Sequence, residues 1–242
     1  MWSAGDGPAV VMLHGWGLSG RAYRPALSAL ASKGYRAVAP SVAVLHDGWT
    51  MGRLVERTAD ALYASGISRA TVVGHSFGGA LGVSLAVREP ELVSSLVLVD
   101  AFVVSPGARR LARIALPGPH WRIGTLGSTA LALAGSAVRD GGLRSLARSA
   151  RWVLRRSVEE EAASLRERGV PAEVLWAELD TLLPLWLGER TAEALGAPLE
   201  VIPPRPDGWP LERAPDHDWP MRAPAFFAER VDAALQRLGG VS

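Results

Sequence analysis

The sequence predicts an α/β architecture: a mostly parallel sheet of about six strands flanked by helices, with a helical insertion over one edge. Three observations carry this. Short apolar runs rich in β-formers alternate with helix-compatible segments along most of the chain, the pattern left by parallel strands covered on both faces. The alternation stops between Val103 and Val170, where Ala, Leu, Gly and Arg dominate and no convincing strand occurs. The polar residues of chemical interest fall at strand ends, where an open parallel sheet binds its ligands.

The elements follow in order. Ala9 to Leu13 is a buried strand running into His14-Gly15-Trp16-Gly17, a glycine-spaced loop. Arg21 to Ser32 reads as a helix and Tyr35 to Ala39 as the second strand. Pro40 to Trp49 is irregular, and Met51 to Ser65 is helical by the spacing of Leu54, Val55, Ala59 and Leu62. Ala70 to Val73 leads into Gly74-His75-Ser76-Phe77-Gly78-Gly79, and Ala80 to Arg88 is the helix that follows. Ser95 to Val99 is a strand ending at Asp100. Beyond the insertion, Val174 to Trp176 and Leu199 to Ile202 are strands separated by a helix from Trp186 to Leu195, and a last helix covers roughly Ala223 to Leu238. The expected division is a core in two parts, 1–102 and 171–242, with a helical cap, 103–170, between them.

Composition narrows the chemistry. At 242 residues, 48% of them hydrophobic and 21% charged, the chain can bury a substantial core. The absence of Cys removes disulfides, thiolate nucleophiles and Cys-ligated metals, leaving serine chemistry open. The first residues carry neither a basic region nor an apolar core of signal length, and no run reaches the ~18 apolar residues of a membrane span. The expected location is cytoplasmic. Charge is unevenly spread: ten arginines face one acid, Asp140, between Ala101 and Ser157, whereas the rest of the chain carries 16 basic and 23 acidic residues. Within that basic lobe Arg144, Arg148, Arg151 and Arg155 form a row on one helical face, opposite Leu143, Leu146, Ala150 and Val153. The row reads as a solvated outer face, as a docking face for an anionic protein or substrate, or as a membrane-surface face. Nucleic acid is not expected, since no aromatic stacking pattern accompanies the arginines.

The elbow stretch nominates a nucleophile. A strand-to-helix turn at Ser76 lifts the hydroxyl clear of the sheet, and only tiny residues fit at 74 and 78. The N–H groups that open the next helix have no acceptor within it, so the Phe77 N–H points at an oxyanion formed beside Ser76. A serine hydroxyl needs a base, and the base needs an acceptor to fix its tautomer. Of five histidines, His217 alone follows all the strands, in the turn Pro215-Asp216-His217-Asp218-Trp219-Pro220. Asp180, on the loop after Val174 to Trp176, is the candidate acid; Asp100, also at a strand end, is the alternative. Glu178, Asp207, Asp216 and Asp218 read as solvated loop charges.

Taken together, His14-Gly15-Trp16-Gly17, the elbow, Leu179-Asp180 with Pro184 four residues on, and His217-Asp218-Trp219-Pro220 resemble the α/β-hydrolase fold superfamily over nearly the full chain. The resemblance implies Ser76 as nucleophile, His217 as base, Asp180 as orienting acid, and Trp16 and Phe77 as backbone oxyanion donors. It also implies that the cap shapes the substrate pocket, with Leu18, Phe102, Trp121 and Trp186 as candidate contacts. No metal or organic cofactor is implied. The expected activity is cleavage of carboxylic esters or thioesters through an acyl-enzyme. The alternatives are transfer of that acyl group to another acceptor, as an acyltransferase or cyclase, and a non-catalytic binding protein of the same fold. The oxyanion loop and basic cap are similar to those of carrier-protein methyl ester esterases, in which cap arginines face an acidic carrier protein. Two departures stand out. The antiparallel hairpin that usually precedes the first parallel strand is missing, and Ala39 to Gly48 lacks the usual D-x-x-G-x-G-x-S pattern.

Overall fold

The computed structural model describes residues 1–16, 18–40, 50–105, 107, 152 and 156–239. Seven strands, β1 (Trp2–Ala4), β2 (Ala9–Leu13), β3 (Arg36–Ala39), β4 (Ala70–His75), β5 (Val93–Val99), β6 (Ala172–Ala177) and β7 (Leu199–Ile202), form one sheet in the order β1-β3-β2-β4-β5-β6-β7. Strands β2 to β7 are mutually parallel, the expected six. The seventh, β1, is a three-residue edge strand antiparallel to β3, pairing Trp2 with Ala39 and Ala4 with Ala37. It does not form a hairpin with β2.

Strand alternation builds two cores. Val11 and Leu13 of β2, Val72 of β4, Leu96 and Leu98 of β5, and Val174 and Trp176 of β6 point to one face. Their neighbours Val10, Met12, Val73, Val97, Val99, Leu175 and Ala177 point to the other. Side chains two apart share a face, so a strand apolar at every position must be covered twice. On the first face lie α2 (Met51–Tyr63), α3 (Phe77–Arg88), α4 (Glu159–Glu167) and α5 (Leu185–Leu195). On the second lie α1 (Arg24–Ser32), the four-residue α6 (Trp219–Arg222) and α7 (Pro224–Arg237).

Helix α2 shows how sequence becomes packing. Met51, Leu54, Val55, Thr58, Ala59 and Leu62 are its buried residues, spaced as one face of a 3.6-residue repeat. Its start is fixed by Thr50, whose hydroxyl accepts the Arg53 N–H at 3.2 Å. Helix α3 is different, being buried from Phe77 to Ala86, as befits a helix enclosed between the sheet and its neighbours. It begins at Phe77, earlier than the sequence suggests, because the turn at Ser76 feeds it directly. The expected last helix is α7, which Pro224 opens just after Ala223; the short α6 before it was not foreseen. The buried Ser84 of α3 hydrogen-bonds Glu161 of α4, tying the helix that leaves the insertion to the helix that leaves the elbow.

The chain departs from β2 in opposite directions: β3 lies on one side and β4 on the other. The carboxyl ends of β2 and β4 are thus the switch point, where open parallel sheets form the crevice that holds their sites. Trp121 and the row Arg144, Arg148, Arg151 and Arg155 lie outside the described residues.

Candidate active site

Ser76 sits at that crevice with φ 54° and ψ −124°, a conformation costly for any residue with a Cβ. Three hydrogen bonds hold it: its N–H donates to Val99 O at 3.1 Å, and its carbonyl accepts from Gly79 N at 2.9 Å and Phe102 N at 2.8 Å. The glycines explain the sequence pattern. A Cβ at Gly74 would lie 2.7 Å from Gly78 O, and one at Gly78 would lie 2.0 Å from Leu13 O. The loop after β2 is as close, since a Cβ at Gly15 would meet Ser76 Cβ at 3.3 Å and His75 Nδ1 at 3.5 Å. Leu18 returns to the same turn, its N–H donating to Gly15 O at 3.1 Å and its Cδ1 lying 3.4 Å from a Cβ added at Gly15, while the half-buried Trp16 packs on the first core.

The base candidate and the acid candidate meet. His217 Nδ1 is 2.7 Å from Asp180 Oδ2, with the carboxylate side chain fully buried and the imidazole 15% exposed. The other carboxylate oxygen, Oδ1, accepts from Leu182 N and Leu183 N, each at 2.7 Å. With its lone pairs committed to donors, Asp180 is a fixed acceptor, so His217 carries its proton on Nδ1 and presents Nε2. Burial alone would push the imidazole down. The Asp180 carboxylate outweighs it by charge and hydrogen bond, with Asp100 and Asp216 adding to the field, and the result is a rise to about 9.

Asp100, the alternative acid, does a different job. It is fully buried with φ 40°. Its Oδ1 accepts from Ala177 N at 2.8 Å and its Oδ2 from Trp219 Nε1 at 2.6 Å. Burial, then the neighbouring Asp180 charge, push its carboxyl well above the ordinary range. With both oxygens so engaged, it bridges the strand before Asp180 to the helix after His217.

Two aspartates read as solvated are not. Asp216 Oδ1 accepts from Thr181 N at 3.0 Å and His217 N at 2.8 Å, and its Oδ2 meets Arg213 Nη2 at 2.9 Å. These bonds stitch the acid loop to the base loop and, against the cost of burial, hold the carboxyl below its usual value. Asp218 is buried, 3.7 Å from Arg222, and burial raises it. Sequence pattern missed Asp216 because Thr181 reaches it from 35 residues away, and Asp218 because its burial is set by tertiary packing and not by its neighbour Arg222. Glu178 and Asp207 are exposed as expected.

Of the other predicted residues, Phe77 and Phe102 are buried on either side of Ser76 in the chain fold, and both rings meet Trp152, at centroid distances of 5.6 and 6.4 Å. Trp152 was not foreseen; an aromatic within an Arg-rich helical segment gives no local sign of reaching the elbow. Trp186 lies in the first turn of α5 and packs, half-buried, on the first core. Tyr23 and His75 were also missed. Tyr23 Oη lies 2.6 Å from His75 Nδ1, and His75 Nε2 lies 2.9 Å from His217 O.

A crevice at a switch point, a strained serine between a strand and a buried helix, and a hydrogen-bonded His–Asp pair from later loops define a class of enzyme fold. The alpha/beta hydrolase fold family matches residues 8–132, just over half of the chain, and the chain belongs to that family. A protein of Variovorax paradoxus (strain S110) named as a carbamate hydrolase, RutD, is 36% identical over 104 residues, 40% of this chain and 39% of that protein. That match spans well under half of the relative's length. A protein of Mycobacterium phage D29 named as a non-heme haloperoxidase is 27% identical over 266 residues, covering 96% of this chain and 89% of the relative. Among solved structures, a bromoperoxidase from Bacillus anthracis superposes with a TM-score of 0.73 at 16% identity, covering 97% of this chain and 94% of that one. At that identity the likeness is one of fold. Among the described residues, no helix is long and apolar enough to cross a membrane.

Proposed function

We propose that the protein is a serine hydrolase acting on carboxylic esters or thioesters through a Ser76–His217–Asp180 triad. What supports this reading is a strained Ser76, next in the chain to a His75 that bonds the His217 main chain at 2.9 Å, together with a His217 whose Nδ1 is tied to Asp180 at 2.7 Å, leaving Nε2 to serve the nucleophile. In the acylation half, neutral His217 takes the Ser76 proton on Nε2 as Oγ attacks the carbonyl carbon. The negative charge passes to the carbonyl oxygen, toward the backbone N–H groups of Phe77 and Trp16. The tetrahedral intermediate collapses, His217 returns the proton to the departing alcohol or thiol, and the acyl group stays on Ser76. Water then attacks the acyl carbon while giving one proton to His217, and the imidazolium returns that proton to Ser76 Oγ as the acid departs. The loop closeness at Gly15 supports Trp16 as the second donor, since that loop lies within a methyl group of Ser76.

A carbamate carbonyl would be attacked in the same way, and the local match to RutD brings that class into the substrate range worth testing. An acyl acceptor other than water would use the same first half. A fluorophosphonate probe tests the reading directly: stoichiometric labelling of wild type that disappears in Ser76→Ala is expected, followed by turnover of a p-nitrophenyl acyl series. A folded wild type that takes no label sinks the triad.

A further inference from the structure

Behind the triad lies a buried polar chain that the mechanism above does not use. His75 is 1% exposed, as deep as the hydrophobic core. Its Nε2 faces the main-chain carbonyl of His217 at 2.9 Å. A carbonyl can only accept, so Nε2 carries the proton. Its Nδ1 faces Tyr23 Oη at 2.6 Å; in a neutral ring that nitrogen is a lone pair, so the tyrosine donates. Tyr23 is fully buried and its phenol is held well above its ordinary pKa, chiefly by burial, with a backbone hydrogen bond from Gly15 opposing. It therefore remains a donor. The chain runs from the loop at Gly15 through Tyr23 and His75 to the loop of His217.

Together with Asp100 these groups satisfy a distance criterion for a cation, one atom each of His75, Asp100 and His217 lying within 4.8 Å of one another. Both nitrogens of His75 and both oxygens of Asp100 already have protein partners, so none of these four atoms is left to ligate an ion.

We propose that His75 is a positioning residue for the base: a neutral imidazole that holds the His217 main-chain carbonyl, with Tyr23 fixing its tautomer. The reading rests on the serine-hydrolase assignment above. Its force is geometric. His75 is bonded directly to Ser76, so the base loop is referenced to the nucleophile across a single peptide link, where a misplacement of about 1 Å costs roughly 100-fold in rate. Neutrality matters too. The His75 and His217 rings are 4.9 Å apart, and a charged His75 would oppose the imidazolium that forms on His217 during attack. Burial, then the neighbouring His217 charge, hold His75 well below the ordinary imidazole range.

The test compares wild type, His75→Gln, His75→Leu and Tyr23→Phe in fluorophosphonate labelling rate, in kcat and KM on a p-nitrophenyl ester, and in the low-field proton resonance of the His217–Asp180 hydrogen bond. Gln can reach the same carbonyl with its amide N–H; Leu cannot. The expected result is a loss of about 10- to 100-fold in labelling and kcat for His75→Leu with KM within about twofold. Recovery of most of that loss is expected in His75→Gln, with a smaller loss in Tyr23→Phe. The resonance should persist in Gln and broaden in Leu. A His75→Leu enzyme within about twofold of wild type in rate overturns the proposal, as does a Gln variant no better than Leu at equal melting temperature. Where Leu prevents folding, an unchanged rate and resonance in Tyr23→Phe overturn it. An inert wild type overturns the hydrolase reading instead; the resonance needs no turnover and then decides the role of His75 by itself.

Discussion

Trp219 donates its indole N–H to Asp100 across 2.6 Å in a part of the core where both side chains are fully buried. The bond joins the end of β5 to the residue two after His217, and the same carboxyl takes the Ala177 N–H at 2.8 Å, three residues before Asp180. One side chain thus fixes the roots of both loops that meet in the His217–Asp180 pair.

Trp219→Phe keeps the aromatic contacts to Phe226 and Phe227 but strips Asp100 of a donor. A buried oxygen left unsatisfied costs about 1–3 kcal/mol. Urea unfolding should show a loss in that range, larger than for Trp209→Phe, whose indole N–H bonds Arg213 O at the surface.

Asp180→Asn should leave the fold in place and remove catalysis. The amide oxygen can still accept from Leu182 and Leu183, which turns the amide NH2 toward His217. His217 must then move its proton to Nε2 and cannot take one from Ser76. A drop of about 10⁴-fold in kcat is expected, read as lost fluorophosphonate labelling at unchanged melting temperature.

Activity and the stability contributed by His217 should move in opposite directions with pH. Only the neutral imidazole accepts a proton, so kcat/KM should rise through about 9, the value to which Asp180 and its neighbours lift the group. The folded-state value lies above the unfolded one of about 6.5. The stability His217 contributes is therefore complete below about 6.5 and lost as pH climbs through about 9. The melting-temperature difference between wild type and His217→Ala should shrink over that interval. His75 and His14, both held low first of all by burial, have the reverse sign: their contribution is complete above about 6.5 and lost on acidification.

Gly78→Ala should abolish folding or cost more than about 3 kcal/mol, because the added methyl meets the Leu13 carbonyl at 2.0 Å and backbone cannot yield. Gly34→Ala is the comparison. Gly34 has φ 94° but nothing within 4 Å of an added Cβ, so only its left-handed backbone is penalised, by about 1–2 kcal/mol.

Trp152→Ala should change selectivity more than rate. The indole covers Phe77 and Phe102, the two residues whose backbones flank Ser76. Its removal should shift the preferred p-nitrophenyl acyl chain toward longer members and raise KM for the shorter ones, with labelling by a small fluorophosphonate within about threefold of wild type.

How far the site could be read from sequence depended on how local each cause is. The elbow is legible because its glycines answer to atoms within five residues or on the adjoining strand, and Ser76 shows the strained φ the pattern implies. His217 and Asp180 could be nominated by position after strands, and they do meet. Tyr23 and His75 are 52 residues apart, and His75 and His217 are 142 apart; no spacing rule connects them. Asp216 was misread for the same reason, since Thr181 reaches it from 35 residues away. The strand β1 escaped notice because three residues, only partly buried, carry no periodicity.

The short strands at the two ends of the described sheet bear on self-association. A second copy seeking to add a strand would find three residues at β1 and four at β7, too few backbone groups for a lasting ladder. On β7 it would also have to accommodate Glu200, which is drawn by Arg230 at 3.5 Å and Arg237 at 2.8 Å, beside an exposed Val201. Ionic tethers next to a truncated rim make strand exchange between copies unfavourable.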